Sequence, residues 1–140
     1  MPFTTIEGRK AYYVHRQPVP AHQPAVVFIH GAGGTHQHWL YPVRDLAQAP
    51  SYAVDLPGHG RSAGPGRDTI AAYGDWLMAF MGSVGLERAV LVGHSMGGAI
   101  ALDLALRFPA RVAGLGLVAT GARLRVVPAV LEGIRQDPKA

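Results

Sequence analysis

The sequence predicts an α/β protein: a mostly parallel sheet with helices on both faces. Apolar runs alternate with segments of helical periodicity, as strands alternate with helices in that class. The run Ala25 to Ile29 is apolar throughout, without the polar alternation of a half-exposed strand, so it reads as a strand covered on both sides. Glycine-rich turns follow the runs, and in such sheets the functional groups gather at the carboxyl ends of the strands.

In chain order, Phe3 to Ile6 and Ala11 to His15 are short and rich in Thr, Tyr and Val. With Glu7-Gly8 as turn chemistry between them, they form an antiparallel hairpin. The stretch 18–24, bounded by prolines, has turn or linker character and precedes the buried run. Ser51 to Asp55, Arg88 to Val92 and Gly114 to Ala119 are the remaining strands, the last read as buried on both faces. Ile70, Tyr73, Leu77, Phe80 and Met81 recur at helical spacing and leave Asp75 outside their stripe. Met96 to Phe108 is apolar nearly all round (Ile100, Leu102, Leu104, Leu106), which predicts a deeply packed helix stopped by Pro109.

Composition narrows the function classes. The 140 residues fit one domain and are enough to bury a core. A hydrophobic fraction of 49% against 16% charged excludes disorder. No apolar run is as long as a membrane span, and Met1 to Lys10 lacks the apolar stretch of a secretory signal, so a cytoplasmic protein without a membrane partner is expected. The absence of cysteine removes disulfides and thiolate metal sites. A net charge of +4 comes from scattered Lys and Arg without interleaved aromatics, so no nucleic-acid partner is expected. His15, His22, His36 and His38 read as surface or loop residues with no zinc-ligand context, and neither metal nor cofactor is expected. Trp39 and Tyr41 suit a pocket wall or the core equally.

The most specific signal follows Val92. In Gly93-His94-Ser95-Met96-Gly97 the serine stands between a buried strand and a buried helix. A serine hydroxyl is a weak nucleophile, so it must be held clear of the backbone and given a base. A tight strand-to-helix turn does the first, with Gly93 and Gly97 leaving room for the turn and Gly98 letting the helix approach the sheet. The helix then points its free N–H groups at a developing oxyanion. The turn His30-Gly31-Ala32-Gly33-Gly34 leaves a second amide uncovered. Ser95 is therefore the candidate nucleophile, and the amides of Ala32 and Met96 are the candidate oxyanion donors. His94 reads as packed beneath the turn.

His30-Gly31, Asp55-Leu56-Pro57-Gly58-His59-Gly60-Arg61-Ser62 and Gly93-His94-Ser95-Met96-Gly97-Gly98, in this order and spacing, closely resemble the α/β-hydrolase family. The likeness is greatest to its small esterase, lactonase and peroxidase-like members. Members with an aspartate nucleophile match poorly, since Ser95 holds that position. The resemblance implies an α/β-hydrolase-type core over residues 1–122, truncated after about the sixth strand, and the start of a lid or cap over 123–140. It also implies hydrolysis of an acyl ester, thioester or lactone through an acyl-enzyme.

One departure from the family bears on activity. The family's acid and histidine follow the nucleophile, but no histidine follows Ser95 here, and the later carboxylates are Asp103, Glu132 and Asp137. His30 and His59, in loops at the carboxyl edge, are the candidate substitute bases, although in the family these positions shape loops and the pocket floor. Two readings stay open. The chain is the nucleophile half of a serine hydrolase, with a missing carboxyl-terminal half or a second chain supplying acid and histidine for a small acyl substrate. Alternatively, it is a truncated, non-catalytic hydrolase kept as a binding or interaction module.

Overall fold

In the computed structural model, which describes residues 3–17, 24–39 and 49–119, the hairpin opens the chain. β1 (Phe3–Ile6) and β2 (Arg9–Arg16) pair antiparallel across Glu7 and Gly8, both at positive φ, which is the two-residue turn whose twist matches a hairpin. β3 (Ala25–Ile29), β4 (Ser51–Val54), β5 (Ala89–His94) and β6 (Val112–Val118) run parallel to one another, and β2 joins them antiparallel along β4. The order across the six-stranded sheet is β1-β2-β4-β3-β5-β6.

β3 is buried along its whole length, as its unbroken apolar run predicts. Ala25, Val27 and Ile29 join one core cluster, while Val26 and Phe28 join Trp39 and Ala53 on the opposite face. The Phe28 and Trp39 ring centroids lie 5.1 Å apart, so Trp39 is a core residue and not a pocket wall. Tyr41 lies outside the described residues, as do His22 and residues 123–140, where the lid segment is expected.

α1 (Ile70–Ser83) begins where Thr69 Oγ1 accepts the Ala72 N–H, and its buried stripe is Tyr73, Trp76, Leu77, Phe80 and Met81. α2 (Met96–Arg107) ends before Pro109 and buries Ile100, Ala101 and Leu104 in the same cluster. The expectation of a helix packed nearly all round does not hold for α2. Leu106 is 83% exposed, because its side points away from the sheet and from α1. On β6, the edge of the sheet among the described residues, Leu115, Leu117 and Val118 are exposed, since no described strand or helix covers that side.

The strand order positions the site. From β3 the chain moves outward to β4, and from β5 it moves outward to β6 on the other side. The loops after β3 and β5 therefore diverge, leaving a crevice at the carboxyl ends of two adjacent strands, where ligands of open α/β sheets bind.

Candidate active site

Ser95 occupies the turn from β5 into α2 with φ 53° and ψ −115°. A non-glycine residue avoids that region, at a cost on the order of 1–3 kcal/mol, and strain of this kind concentrates at functional sites. The surroundings enforce it. The Ser95 N–H donates to the Val118 carbonyl at 3.1 Å, and the Ser95 carbonyl accepts from Gly98 N–H at 2.9 Å and Ala99 N–H at 3.2 Å. Glycine is required on both sides: a Cβ on Gly93 would run into the Gly97 carbonyl, and one on Gly97 into the Ile29 carbonyl. That second contact shows how tightly the start of α2 is set against the end of β3, and Gly98 is buried beside it.

α2 opens without a side-chain cap, so the Met96 amide stands ahead of the first intrahelical bonds. The loop after β3 lies directly alongside: a Cβ on Gly31 would sit 3.3 Å from Ser95 Cβ and 3.3 Å from the His94 carbonyl. The Gly34 N–H closes a turn on the Gly31 carbonyl at 3.0 Å, with exposed Ala32 and Gly33 at its tip. The fold thus brings together the strained serine, the open start of a helix and a small-residue turn.

The histidines divide by their partners. His30 is fully buried; its Nε2 accepts the Leu56 N–H at 3.0 Å, so its proton sits on Nδ1 and is donated to the Gly31 carbonyl at 2.7 Å. Burial lowers its pKa from 6.5 to about 4, with the neighbouring His59 adding to the effect and the Gly31 and Asp55 interactions opposing it. With both nitrogens engaged, His30 has no lone pair for a serine proton. His59 donates from Nδ1 to the Pro57 carbonyl at 3.0 Å, its ring 5.0 Å from that of His30. His94 is half buried beside Gly31, its ring 4.8 Å from that of His38, and its Nδ1 is buried without a hydrogen bond among the described residues. Packing accounts for its place.

His36 corrects the sequence reading. It is buried, because both its backbone N–H (2.6 Å) and its Nδ1 (2.9 Å) bond to Oδ1 of fully buried Asp55. Sequence reasoning missed this pair; its only local sign is Asp55 heading the segment that ends at Ser62. The pair leans toward β2, with the Tyr12 ring 5.1 Å from His36, on the far side of β4 from Ser95.

Downstream of Ser95, Asp103 is the one carboxylate among the described residues, and it is committed elsewhere. Arg107 holds it at 2.6 Å and reaches Asp75 on α1 at 2.8 Å, clamping the two helices together. Glu132 and Asp137 lie outside the described residues. Among the described residues, no group of three His, Asp or Glu side chains is placed to hold a metal ion, and no helix is long and apolar enough to cross a membrane. A shallow depression lined by Leu86, Arg88 and Arg111 lies at the amino end of β5. At about 3.3 Å per residue, the strand separates it from the serine turn by roughly 20 Å.

A family model described as the alpha/beta hydrolase fold matches residues 24–139. Among curated proteins, the chain is 38% identical over 118 residues to the dihydrolipoyllysine-residue acetyltransferase component of the acetoin cleaving system of Cupriavidus necator, covering 83% of this chain and 31% of that protein. Among solved structures, the enol-lactonase of Burkholderia xenovorans LB400 superposes with a TM-score of 0.85 at 25% identity, covering 99% of this chain and 55% of the other. A thermophilic esterase superposes with a TM-score of 0.77 at 35% identity, covering 97% and 50%. The chain spans about half the length, or less, of these relatives.

Proposed function

The chain belongs to the alpha/beta hydrolase fold family, and on that premise we propose that it carries the nucleophile half of a serine hydrolase acting on acyl esters, thioesters or lactones. The observation that carries this is the backbone of Ser95, a non-glycine residue held at φ 53° between two glycines whose side chains would collide with backbone. In this reading Ser95 Oγ attacks the acyl carbonyl, and its proton passes through a base to the departing alcohol as the C–O bond breaks. The amides of Ala32 and Met96 hold the oxyanion, and water then releases the acid from the acyl-enzyme. Fold-level likeness to an enol-lactonase and an esterase supports the reaction class, while specificity depends on loops outside the described residues.

Among the described residues no histidine and carboxylate complete a triad with Ser95: His59 gives its Nδ1 proton to the Pro57 carbonyl and has no carboxylate to orient it. His30 is locked by two hydrogen bonds, His36 faces β2, and Asp103 is held by Arg107. We place the missing pair on sequence beyond these residues or on a second chain. The 140 residues alone should then hydrolyse p-nitrophenyl acetate only at a residual rate, about 10³–10⁴-fold over water, as when a triad member is removed. Ser95→Ala should abolish that residue of activity. A kcat near about 10 s⁻¹ for the isolated chain would refute the assignment of an incomplete triad. The second reading is a non-catalytic binding module, in which Ser95 forms no covalent intermediate. It predicts equal hydrolysis by wild type and Ser95→Ala.

A further inference from the structure

We infer that Asp55 is a positioning residue for the oxyanion-binding loop, an inference that rests on the reading of Ser95 as nucleophile. The turn carrying Ala32 is pinned at both ends by two consecutive residues that follow β4. At its start, the Leu56 N–H holds His30, which in turn holds the Gly31 carbonyl. At its end, Asp55 Oδ1 holds both the backbone and the ring of His36. Between the pins lie Gly31, Ala32, Gly33, Gly34 and Thr35, a stretch whose one hydrogen-bonding side chain, Thr35, reaches on to the Gln37 N–H rather than back to the loop.

Asp55 is suited to this because it is itself fixed from every side. Its N–H donates to the Tyr12 carbonyl at 3.0 Å, tying it to β2. Its carbonyl accepts Ser62 Oγ at 2.5 Å, and that oxygen also accepts the Tyr12 N–H at 2.9 Å. Its Oδ2 accepts the Arg61 N–H at 2.9 Å, so the loop 57–62 folds around the carboxylate. Gly60, at φ 51°, passes so close that a Cβ there would strike Oδ2. A buried carboxylate taking three hydrogen bonds is held rigidly, because each bond to the charge is strong and its loss leaves the charge unsatisfied. That rigidity passes through His36 to the loop whose amide must meet the oxyanion within a few tenths of an ångström.

The test uses His36 as well as Asp55, since Asp55→Asn turns one acceptor into a donor at a buried site and can unfold the chain. His36→Asn keeps an N–H near the position of Nδ1, whereas His36→Leu removes it. Hydrogen exchange of amides 32–36 should speed by about tenfold or more in His36→Leu and in folded Asp55→Asn, while the amides of β3 and β5 keep their protection. For p-nitrophenyl acetate, kcat should fall by about tenfold with KM within about twofold, the signature of an interaction made in the transition state. His36→Asn should restore both. Unchanged exchange, unchanged kcat, or His36→Asn as damaging as His36→Leu would overturn the positioning role. Equal hydrolysis by Ser95→Ala and wild type would instead overturn the reading of the site. An inactive Ser95→Ala beside a fully active His36→Leu would overturn the positioning role alone.

Discussion

Acid should destabilise this protein through His30, and the amount can be worked from its surroundings. The ring is buried and neutral, donating to the Gly31 carbonyl and accepting the Leu56 N–H. Burial away from water disfavours the charged ring and holds the folded pKa at about 4 against 6.5 for a free histidine. The fold therefore favours the neutral ring, and its contribution is complete above about pH 6.5 and lost as pH falls toward 4. At about 1.4 kcal/mol for each pH unit, the loss is about 3 kcal/mol, a large part of a domain's net stability of about 5–15 kcal/mol. His30→Gln does not titrate and still offers an oxygen to the Leu56 N–H. Urea unfolding of both proteins at intervals from pH 7.5 to 4 separates the effect from that of the carboxylates, which titrate in each. The wild type should lose about 3 kcal/mol more than His30→Gln between pH 6.5 and 4 at a constant m value. Parallel pH profiles for the two proteins would refute the tautomer and burial assigned to His30.

Gly97→Ala forces a methyl into the Ile29 carbonyl and should cost more than about 3 kcal/mol or prevent folding, read by thermal unfolding against Gly82→Ala, whose surroundings are open. Leu104→Ala, from a fully buried position, should cost about 2–5 kcal/mol in urea unfolding. Leu115, Leu117 and Val118 leave β6 an apolar edge, so the 140-residue chain should self-associate at tens of micromolar, and Leu115→Lys with Leu117→Lys should shift it toward monomer in sedimentation velocity. A wild-type monomer that unfolds cooperatively at that concentration would contradict this.

What the sequence made legible follows from how local each signal is. The serine turn is legible because one short segment carries Ser95, both required glycines, the strand before and the helix after. β3 was readable because burial on both faces erases alternation over five consecutive residues. The burial of His36 is not legible in the sequence, because its partner, Asp55, stands 19 positions away and only the fold brings them within 2.9 Å. The lock on His30 was hidden likewise, since its second bond comes from Leu56, 26 positions on. Leu106 shows the converse failure. Apolar composition says that a side chain favours burial, but whether a surface meets it is decided by neighbouring elements.

Whether Ser95 is a nucleophile is decided by reaction with an organophosphonate, the modified residue being located by tandem mass spectrometry. The reagent reports a serine that combines a nucleophilic oxygen with donors for a tetrahedral anion, so it needs no knowledge of the substrate. One adduct is expected, on the peptide containing Ser95, formed slowly by the isolated chain and absent from Ser95→Ala. Labelling of wild type that cannot be told from that of Ser95→Ala would contradict it.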